Sequence, residues 1–272
     1  MKELAERDAT GAVAVIYDEI RRFCGVPYVS SMQRHLATRP GWLEWVWAAV
    51  RPVFVSGRAQ GTAWGVCERI EPLHLAPISR AALRVWGVEH EDEASIRAVC
   101  DSFMRASPTN LVLSGLLRKL LAGERPTGRG AHDSPWIPPS PVPALPALVD
   151  VARLPASEQR VVMSLGTPIE GEVFVPGLYR MLARWPHFIA HVATVLGPQL
   201  RDTATQGLCT RMLRALDAEI PGVFAALPAL PASPHVPPSS EFDAVRAVLD
   251  GYRKTSPEMI VFSRAIRDAL PG

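Results

Sequence analysis

The chain has 272 residues, of which 48% are hydrophobic and 21% are charged, and its formal net charge is +2. This length suits one large domain or two ordinary ones, and the composition is that of an ordinary soluble globule. So small a net charge gives no electrostatic support for binding to nucleic acid or to an anionic membrane.

The four cysteines, Cys24, Cys67, Cys100 and Cys209, are widely spaced and form no CxxC motif. Neither a zinc site nor a redox pair is therefore indicated, and we expect free thiols in a reducing compartment. No signal peptide precedes the first predicted helix, and no apolar run reaches the roughly 18 residues that a membrane span needs. The expected location is the cytoplasm.

Apolar residues recur at helical spacing in the first half of the chain, and no stretch shows the sustained alternation of a strand. The first predicted helix runs through Arg22, with Thr10 or Asp8 as its cap and Gly25 closing it. The further predicted helices begin at Ser30 or Ser31 and end before Pro40, begin at Trp42, and cover Ala59–Ile70, Ile78–Val88, Glu91–Met104 and Leu111–Leu121. The predicted fold class is all-α.

Two proline-rich stretches interrupt this pattern. Gly123–Asp150 cannot pack as a helix and is predicted to be a linker. Pro221–Ser240 stands where the first half has its predicted helix Ile78–Val88. The replacement of a helix here would open one side of a pocket, and sequence drift accounts for it equally well, so both interpretations stay open.

The chain also repeats itself. Ile96–Gly123 matches Val245–Gly272 at a constant spacing of 149 positions, and Val29–Pro52 matches Val175–Pro198 at a spacing of 146. Two blocks in the same order at nearly the same spacing indicate one unit of about 130 residues written twice.

The predicted organisation follows from this repeat. A first helical repeat covers residues 1–123, a proline-rich linker covers 124–150 and a second helical repeat covers 151–272. We expect one compact globule in which an approximate twofold axis relates the repeats. Because ligand sites favour such junctions, the pocket is predicted where the two repeats meet.

Three segments carry a family resemblance. Ile20–Ser56 reads IRRFCGVPYVSSMQRHLATRPGWLEWVWAAVRPVFVS, Leu178–Val192 reads LYRMLARWPHFIAHV, and Ser107–Gly123 reads SPTNLVLSGLLRKLLAG. Together they resemble the group I 2-haloacid dehalogenase family, over nearly the whole chain. The resemblance implies an all-α fold of two pseudo-repeats joined by a long linker.

The resemblance also implies a reaction. An aspartate near the start of the second repeat activates a water molecule, which displaces halide from the α-carbon of a short 2-haloacid. The carbon is inverted and no ester intermediate forms. The implied pocket is lined by aromatic side chains and an asparagine, and no metal or other cofactor is expected.

Several residues fit this implied pocket. Asn110 fits the asparagine, because its amide offers both a donor and an acceptor, and the alternative is an N-cap of the Leu111 helix. Tyr28 fits an aromatic wall, or packs in the ordinary way. The remaining candidate lining residues, for some of which core filling is the commoner role, are Phe174, Tyr179, Met259 and Phe262.

The implied catalytic acid departs from the family pattern. Val173–Arg180 contains no aspartate, and the nearby carboxylates are Glu170 and Glu172. A glutamate serves as a general base when burial raises its pKa towards the working pH. We therefore predict Glu172 or Glu170 as the base, with a solvated loop acid as the alternative.

A pair of histidines and a pair of recurring arginines also suggest binding sites, but both have simpler interpretations. His187 and His191 lie four residues apart on one predicted helix, but no third metal ligand is apparent. Arg34 and Arg180 recur in both repeats, and one of them could clamp a substrate carboxylate. Their recurrence favours a structural role instead, such as tying a helix end to a neighbouring loop.

Three functional hypotheses remain. The first is a cofactor-independent hydrolase of the haloacid dehalogenase type. The second is an enzyme of the same fold that hydrates, opens or cyclises a larger apolar metabolite. The third is a non-catalytic small-molecule carrier or interaction module. The expected partner is a small molecule, not nucleic acid or a membrane, and a homodimer is an open alternative to a monomer.

Overall fold

The computed structural model describes residues 2–128, 136–169, 172–230 and 236–272. The described part is mainly helical, in agreement with the predicted class. Its helices are α1 (Gly11–Cys24), α2 (Ser31–Leu36), α3 (Trp42–Val55), α4 (Arg58–Arg69), α5 (Arg80–Val85), α6 (His90–Leu121), α7 (Ala156–Ser164), α8 (Gly177–Leu182), α9 (Pro186–Gln199), α10 (Thr203–Ala225) and α11 (Phe242–Ala269). Among the described residues, no helix has both the length and the apolar character that a membrane crossing requires.

One feature corrects the expectation of helices alone. Strand β1 (Thr167–Ile169) pairs antiparallel with strand β2 (Glu172–Phe174), with Thr167 opposite Phe174. Each strand has three residues, and an alternating pattern cannot be recognised over so short a stretch.

The predicted boundaries of the early helices agree with the structure to within two residues. Helix α1 ends at Cys24 and is capped by Gly25, whose φ of 62° lies in the left-handed region that glycine adopts without strain. Helix α3 begins at Trp42 as predicted, and its apolar side chains, such as Trp45 and Val50, are in the core. The first predicted cap is only half right, because Thr10 occupies the N-cap position but its side chain makes no capping hydrogen bond.

Helix α6 corrects the prediction of two separate helices, because it continues through Pro108. The proline has no N–H, so the carbonyl of Met104 loses its usual helical donor. The surrounding turns are buried, and this burial holds the helix together against the local cost. Helix α11 does the same at Pro257.

Helix α10 corrects a second expectation. The proline-rich stretch that starts at Pro221 was predicted to be irregular, yet α10 runs through Pro221 to Ala225. The first linker agrees with its prediction: its described residues, 123–128 and 136–150, contain no helix.

The chain divides into two compact units, and each unit draws on both halves of the sequence. Unit 1 comprises residues 1–69, 105–141 and 213–254. Unit 2 comprises residues 70–104, 142–212 and 255–272. The predicted division of the sequence into repeats thus differs from the division into units, which interleave along the chain.

The boundaries of the units fall at comparable places in the two predicted repeats. The cut after Arg69 and the cut after Met212 are 143 residues apart, and the cuts after Met104 and Lys254 are 150 apart. These spacings are close to the 146 and 149 of the sequence repeat. They are what a duplicated helical unit leads us to expect, so we retain the two-repeat architecture as a proposal.

Each unit has its own apolar core. In unit 1, α1 packs against α3, and the indole of Trp47 donates a hydrogen bond of 2.7 Å to Glu19. In unit 2, the core gathers side chains from α5 to α9 and from the unit 2 parts of α6 and α11, among them Tyr179, Phe188 and Phe262. The fold therefore places two separately packed interiors in one chain.

Gly115 provides a test of the packing in unit 1. A Cβ built on Gly115 in α6 would lie 2.7 Å from the side chain of Ile220 in α10. We expect Gly115→Ala to destabilise the protein by about 1–3 kcal/mol, because overpacking outweighs the better helix propensity of alanine.

The control is Gly222→Ala. Gly222 lies in α10, where a built Cβ meets no other atom within 4 Å. We expect it to stabilise the protein by about 0.5–1 kcal/mol. Urea unfolding followed by circular dichroism measures both changes, and equal effects of the two substitutions would contradict this account of the packing.

Candidate functional site

A chain of buried polar side chains lies inside unit 1. Ser30 donates a hydrogen bond to Gln33, and the Gln33 amide donates to the side-chain oxygen of Asn110 at 2.5 Å. The Asn110 amide nitrogen in turn lies 3.4 Å from the hydroxyl of Tyr252 and donates to it. Ser30, Gln33 and Asn110 are all buried, so these bonds replace the water that the groups lose on folding.

The structure rules out the N-cap role that was the alternative for Asn110. A capping role is wrong, because Asn110 lies within the continuous helix α6 and not at a helix start. Its amide uses both a donor and an acceptor on protein partners. Asn110 thus ties α2 to α6 and α11 within unit 1.

Tyr28 lies beside this polar chain. It is half-buried. Loss of water raises the pKa of its phenol well above the ordinary value, and neighbouring Tyr252 and Cys24 raise it further. The structure therefore brings the two predicted residues Tyr28 and Asn110 close to Tyr252. The sequence analysis did not predict Tyr252.

The unit 2 candidates fall into two groups. Tyr179, Met259 and Phe262 are buried in one apolar core. Glu172 and Phe174 lie on strand β2, all of which is exposed. Glu170 lies outside the described residues.

The position of Glu172 matters for the predicted base. A glutamate becomes a useful base near neutral pH through burial or a like charge nearby. Glu172 is exposed, so the burial that the hypothesis requires is absent in this structure.

A different carboxyl group in unit 2 is buried. Glu258 in α11 is only 7% exposed, and the hydroxyl of Thr167 on β1 donates to its Oε2 at 3.3 Å. Burial raises the pKa of Glu258, and hydrogen bonds from Gln206 and Thr167 oppose this rise without cancelling it. The sequence analysis missed Glu258.

Two further titratable groups belong to this cluster. The hydroxyl of Tyr179 is buried and has no hydrogen-bond partner among the described residues. Burial raises the pKa of Tyr179 well above its ordinary value, and the charges of Glu258 and Cys209 raise it further. Burial, with a contribution from Glu258, also raises the pKa of the Cys209 thiol to about 12.

The sequence held a signal for Glu258 that was not used. At the repeat spacing of 149, Glu258 corresponds to Thr109, so an acid in one repeat stands where the other has a hydroxyl. Its neighbour Met259, one of the predicted lining residues, corresponds to Asn110 at the same spacing. The same comparison, made one residue earlier, would have found Glu258.

The two recurring arginines have structural partners in their own units. The backbone N–H of Leu4 donates to the carbonyl of Arg34, and that of Val149 donates to the carbonyl of Arg180. The Arg180 side chain also donates to the Val149 carbonyl at 3.1 Å. The Arg34 side chain pairs with Glu3 at 2.6 Å. In both repeats the arginine side chain thus contacts a preceding segment, which supports its structural interpretation.

The histidine pair has no metal-site geometry around it. His187 is exposed, and His191 stacks on Trp86 with ring centroids 4.4 Å apart. Burial lowers the pKa of His191. Among the described residues, no group of three or more histidine, cysteine or acidic side chains is arranged to hold a metal ion.

A cleft of about 220 Å³ opens in unit 2 between α7 and α9. It is lined by Leu154, Ser157, Glu158, Val161, Val162, Ala183, Pro186, His187, Ile189 and Ala190. None of the predicted pocket residues lines this cleft.

Comparison with known proteins adds to this geometry. No protein-family model matches the chain. The chain is 27% identical over 235 residues to a configuration-inverting 2-haloacid dehalogenase from Alcaligenes xylosoxydans xylosoxydans, which covers 81% of this chain and 77% of the relative. The predicted resemblance to the 2-haloacid dehalogenases is confirmed.

Solved structures show that the fold is shared with such a dehalogenase. A D-2-haloacid dehalogenase mutant in complex with D-2-CPA matches with a TM-score of 0.72 at 18% identity, over 99% of this chain and 95% of that one. A D-2-haloacid dehalogenase in complex with L-LA matches with a TM-score of 0.69 at 19% identity, over 99% and 96% of the two chains.

The Gln33–Asn110 bond can be tested by a double-mutant cycle. We expect Asn110→Leu and Gln33→Leu each to destabilise the protein by about 1–3 kcal/mol, because each leaves a buried polar partner unsatisfied. The double variant should lose less than the sum of the two, since both partners of the bond are then absent. Urea unfolding measures the cycle, and strictly additive losses would show that the two amides do not interact.

Glu258 predicts a specific dependence of stability on pH. With its pKa raised in the folded state, the native protein binds more protons than the unfolded chain at pH values between the ordinary glutamate pKa and the raised one. Its contribution to stability is therefore full below the ordinary pKa and is lost as pH rises through the folded pKa. Glu258→Gln should raise the urea midpoint at pH 8 and not at pH 4, and an equal shift at both would contradict the assignment.

Proposed function

We propose that this chain is a hydrolase of the 2-haloacid dehalogenase type, which uses water to release halide from a short 2-haloacid without a cofactor. The observation that carries the proposal is the similarity to a configuration-inverting 2-haloacid dehalogenase over 235 residues, most of both chains. The extent of this match supports an enzyme over a carrier or an interaction module.

The shared fold is consistent with this proposal. The structural neighbours are D-2-haloacid dehalogenases whose structures hold D-2-CPA and L-LA, and they cover nearly all of this chain. The other sequence-based hypothesis, an enzyme acting on a larger apolar metabolite, draws no support from these relatives.

The proposed reaction needs a water molecule, a base and a carbon that carries a halogen. In the proposal a carboxylate of the second repeat takes a proton from the water, and the oxygen attacks the α-carbon from the side opposite the halide. Asn110 and Tyr28 are the substrate-binding groups that the family resemblance predicts. Glu172 and Glu170 are the bases that the sequence predicts.

The reaction is tested by incubating the purified protein with each enantiomer of 2-chloropropionate. We expect chloride and 2-hydroxypropionate in equal amounts, with inverted configuration at the α-carbon. Ion chromatography measures the chloride, and chiral chromatography identifies the product. Absence of chloride from both enantiomers would contradict the proposed function.

The predicted base is tested by Glu172→Gln, which keeps the shape of the side chain and removes its charge. If Glu172 is the base, kcat falls by about 10²–10⁴-fold, the usual contribution of general base catalysis. Glu68→Gln, an exposed substitution in α4, is the matched control and should leave kcat unchanged. Wild-type kcat in the Glu172→Gln variant would remove Glu172 from the mechanism.

A further inference from the structure

The polar cluster of unit 2 is built differently from its counterpart in unit 1. Thr109 is the repeat counterpart of Glu258, and its hydroxyl donates within α6 to the carbonyls of Arg105 and Ala106 at 3.1 and 2.9 Å. A neutral, satisfied hydroxyl therefore occupies this position in unit 1. Unit 2 has an ionisable carboxyl group there, held beneath β1 by Thr167.

Tyr179 also differs from its counterpart. At the repeat spacing of 146, Tyr179 corresponds to Gln33, whose amide is bonded to Asn110. The Tyr179 side chain is fully buried, yet its hydroxyl has no partner among the described residues. A buried hydroxyl without a partner costs about 1–3 kcal/mol, so such a group in a native core calls for a reason.

The cluster offers polar groups of the kind that bind an oxygen atom. A buried water or a substrate oxygen needs two to four polar partners, and the carboxyl of Glu258 and the hydroxyls of Tyr179 and Thr167 are groups of that kind. Gln206, which also hydrogen-bonds to Glu258, is exposed. The cluster thus extends from the interior of unit 2 to its surface.

We propose that Glu258, and not the exposed Glu172, is the carboxylate that activates water in this chain, and that the Tyr179 hydroxyl holds that water. This inference rests on the proposed function. It explains why the core of unit 2 contains a buried acid beside a tyrosine hydroxyl that has no partner among the described residues.

The proposed step balances in atoms and charge. The Glu258 carboxylate takes one proton from the water, and the remaining hydroxide oxygen forms a bond to the α-carbon as the carbon–halogen bond breaks. The products are a 2-hydroxy acid, a halide ion and a protonated Glu258, which returns its proton to solvent. The Tyr179 hydroxyl donates a hydrogen bond to the water oxygen and so directs its other lone pair at the carbon.

Because burial raises the pKa of Glu258, its ionised form is depleted at acid pH. The rate of halide release should therefore fall as pH drops through the raised pKa, and this acid limb should belong to Glu258. A merely structural role for Glu258 would not move that limb.

The experiment compares Glu258→Gln, Glu258→Asp and Tyr179→Phe with the wild-type protein in halide release from 2-chloropropionate between pH 5 and 9. We expect Glu258→Gln to lower kcat by at least about 100-fold with KM little changed, and Glu258→Asp to retain measurable activity with a displaced acid limb. Tyr179→Phe should lower kcat by about tenfold, the scale of one hydrogen bond.

The matched control is Asp268→Asn, which removes an exposed carboxylate from the same helix, α11. It should leave kcat and the pH profile unchanged. Circular dichroism checks that each variant is folded. An active wild-type protein whose Glu258→Gln variant keeps its rate and its acid limb would overturn the inference and leave the proposed function standing.

A second measurement separates failure of the inference from failure of the function. NMR of the wild-type protein with ¹³C-labelled glutamate carboxyls follows Glu258, identified by the signal missing from Glu258→Gln, as 2-chloropropionate is added. We expect this signal to shift on binding. If no halide is released but the signal shifts, the reaction is wrong and the site assignment stands; a signal that does not respond overturns the site.

Discussion

Polar side chains buried between helices must find partners inside the protein, and this constraint governs both interiors of the chain. Unit 1 meets it in part: Gln33 bonds to Asn110 and Arg253 bonds to Ser114 and Asp217, whereas the side-chain oxygen of Gln60 has no partner among the described residues. Unit 2 also meets it in part, since the hydroxyl of Tyr179 has no partner among the described residues. Both interiors thus hold buried polar groups without a partner among the described residues, and only in unit 2 is such a group near a buried carboxyl group.

The fold could be predicted from the sequence where a local signal and the final packing agree. Gly25 is such a place, because its left-handed backbone ends α1 in the structure as the sequence predicts. Pro108 and Pro221 are places where they disagree. A proline weakens the helix locally, but the buried turns around Pro108 hold α6 together. The sequence pattern alone does not show which turns are buried.

The residues of the candidate site were likewise predictable only in part. Asn110 and Tyr28 were found through the family resemblance, and the structure brings both near Tyr252. Glu172 was chosen because it stands closest in sequence to where an acid was expected, but proximity along the chain does not determine burial. Glu258 lies in a segment that reads as a helix face, and only the packing of β1 over α11 shows that its carboxyl group is enclosed.

The cost of the unit 2 cluster is small enough for its core to bear. An unpaired buried hydroxyl costs about 1–3 kcal/mol, whereas full burial of one side chain such as Phe188 or Phe262 contributes about 1.5–3 kcal/mol. One aromatic ring therefore offsets the orphan hydroxyl of Tyr179. Phenylalanine would remove that cost altogether, so stability alone gives no reason to keep the hydroxyl. Sites where a protein leaves such a group unsatisfied are candidates for function, and of the buried polar atoms without a described partner, the Tyr179 hydroxyl is the one near a buried carboxyl group with a raised pKa, that of Glu258.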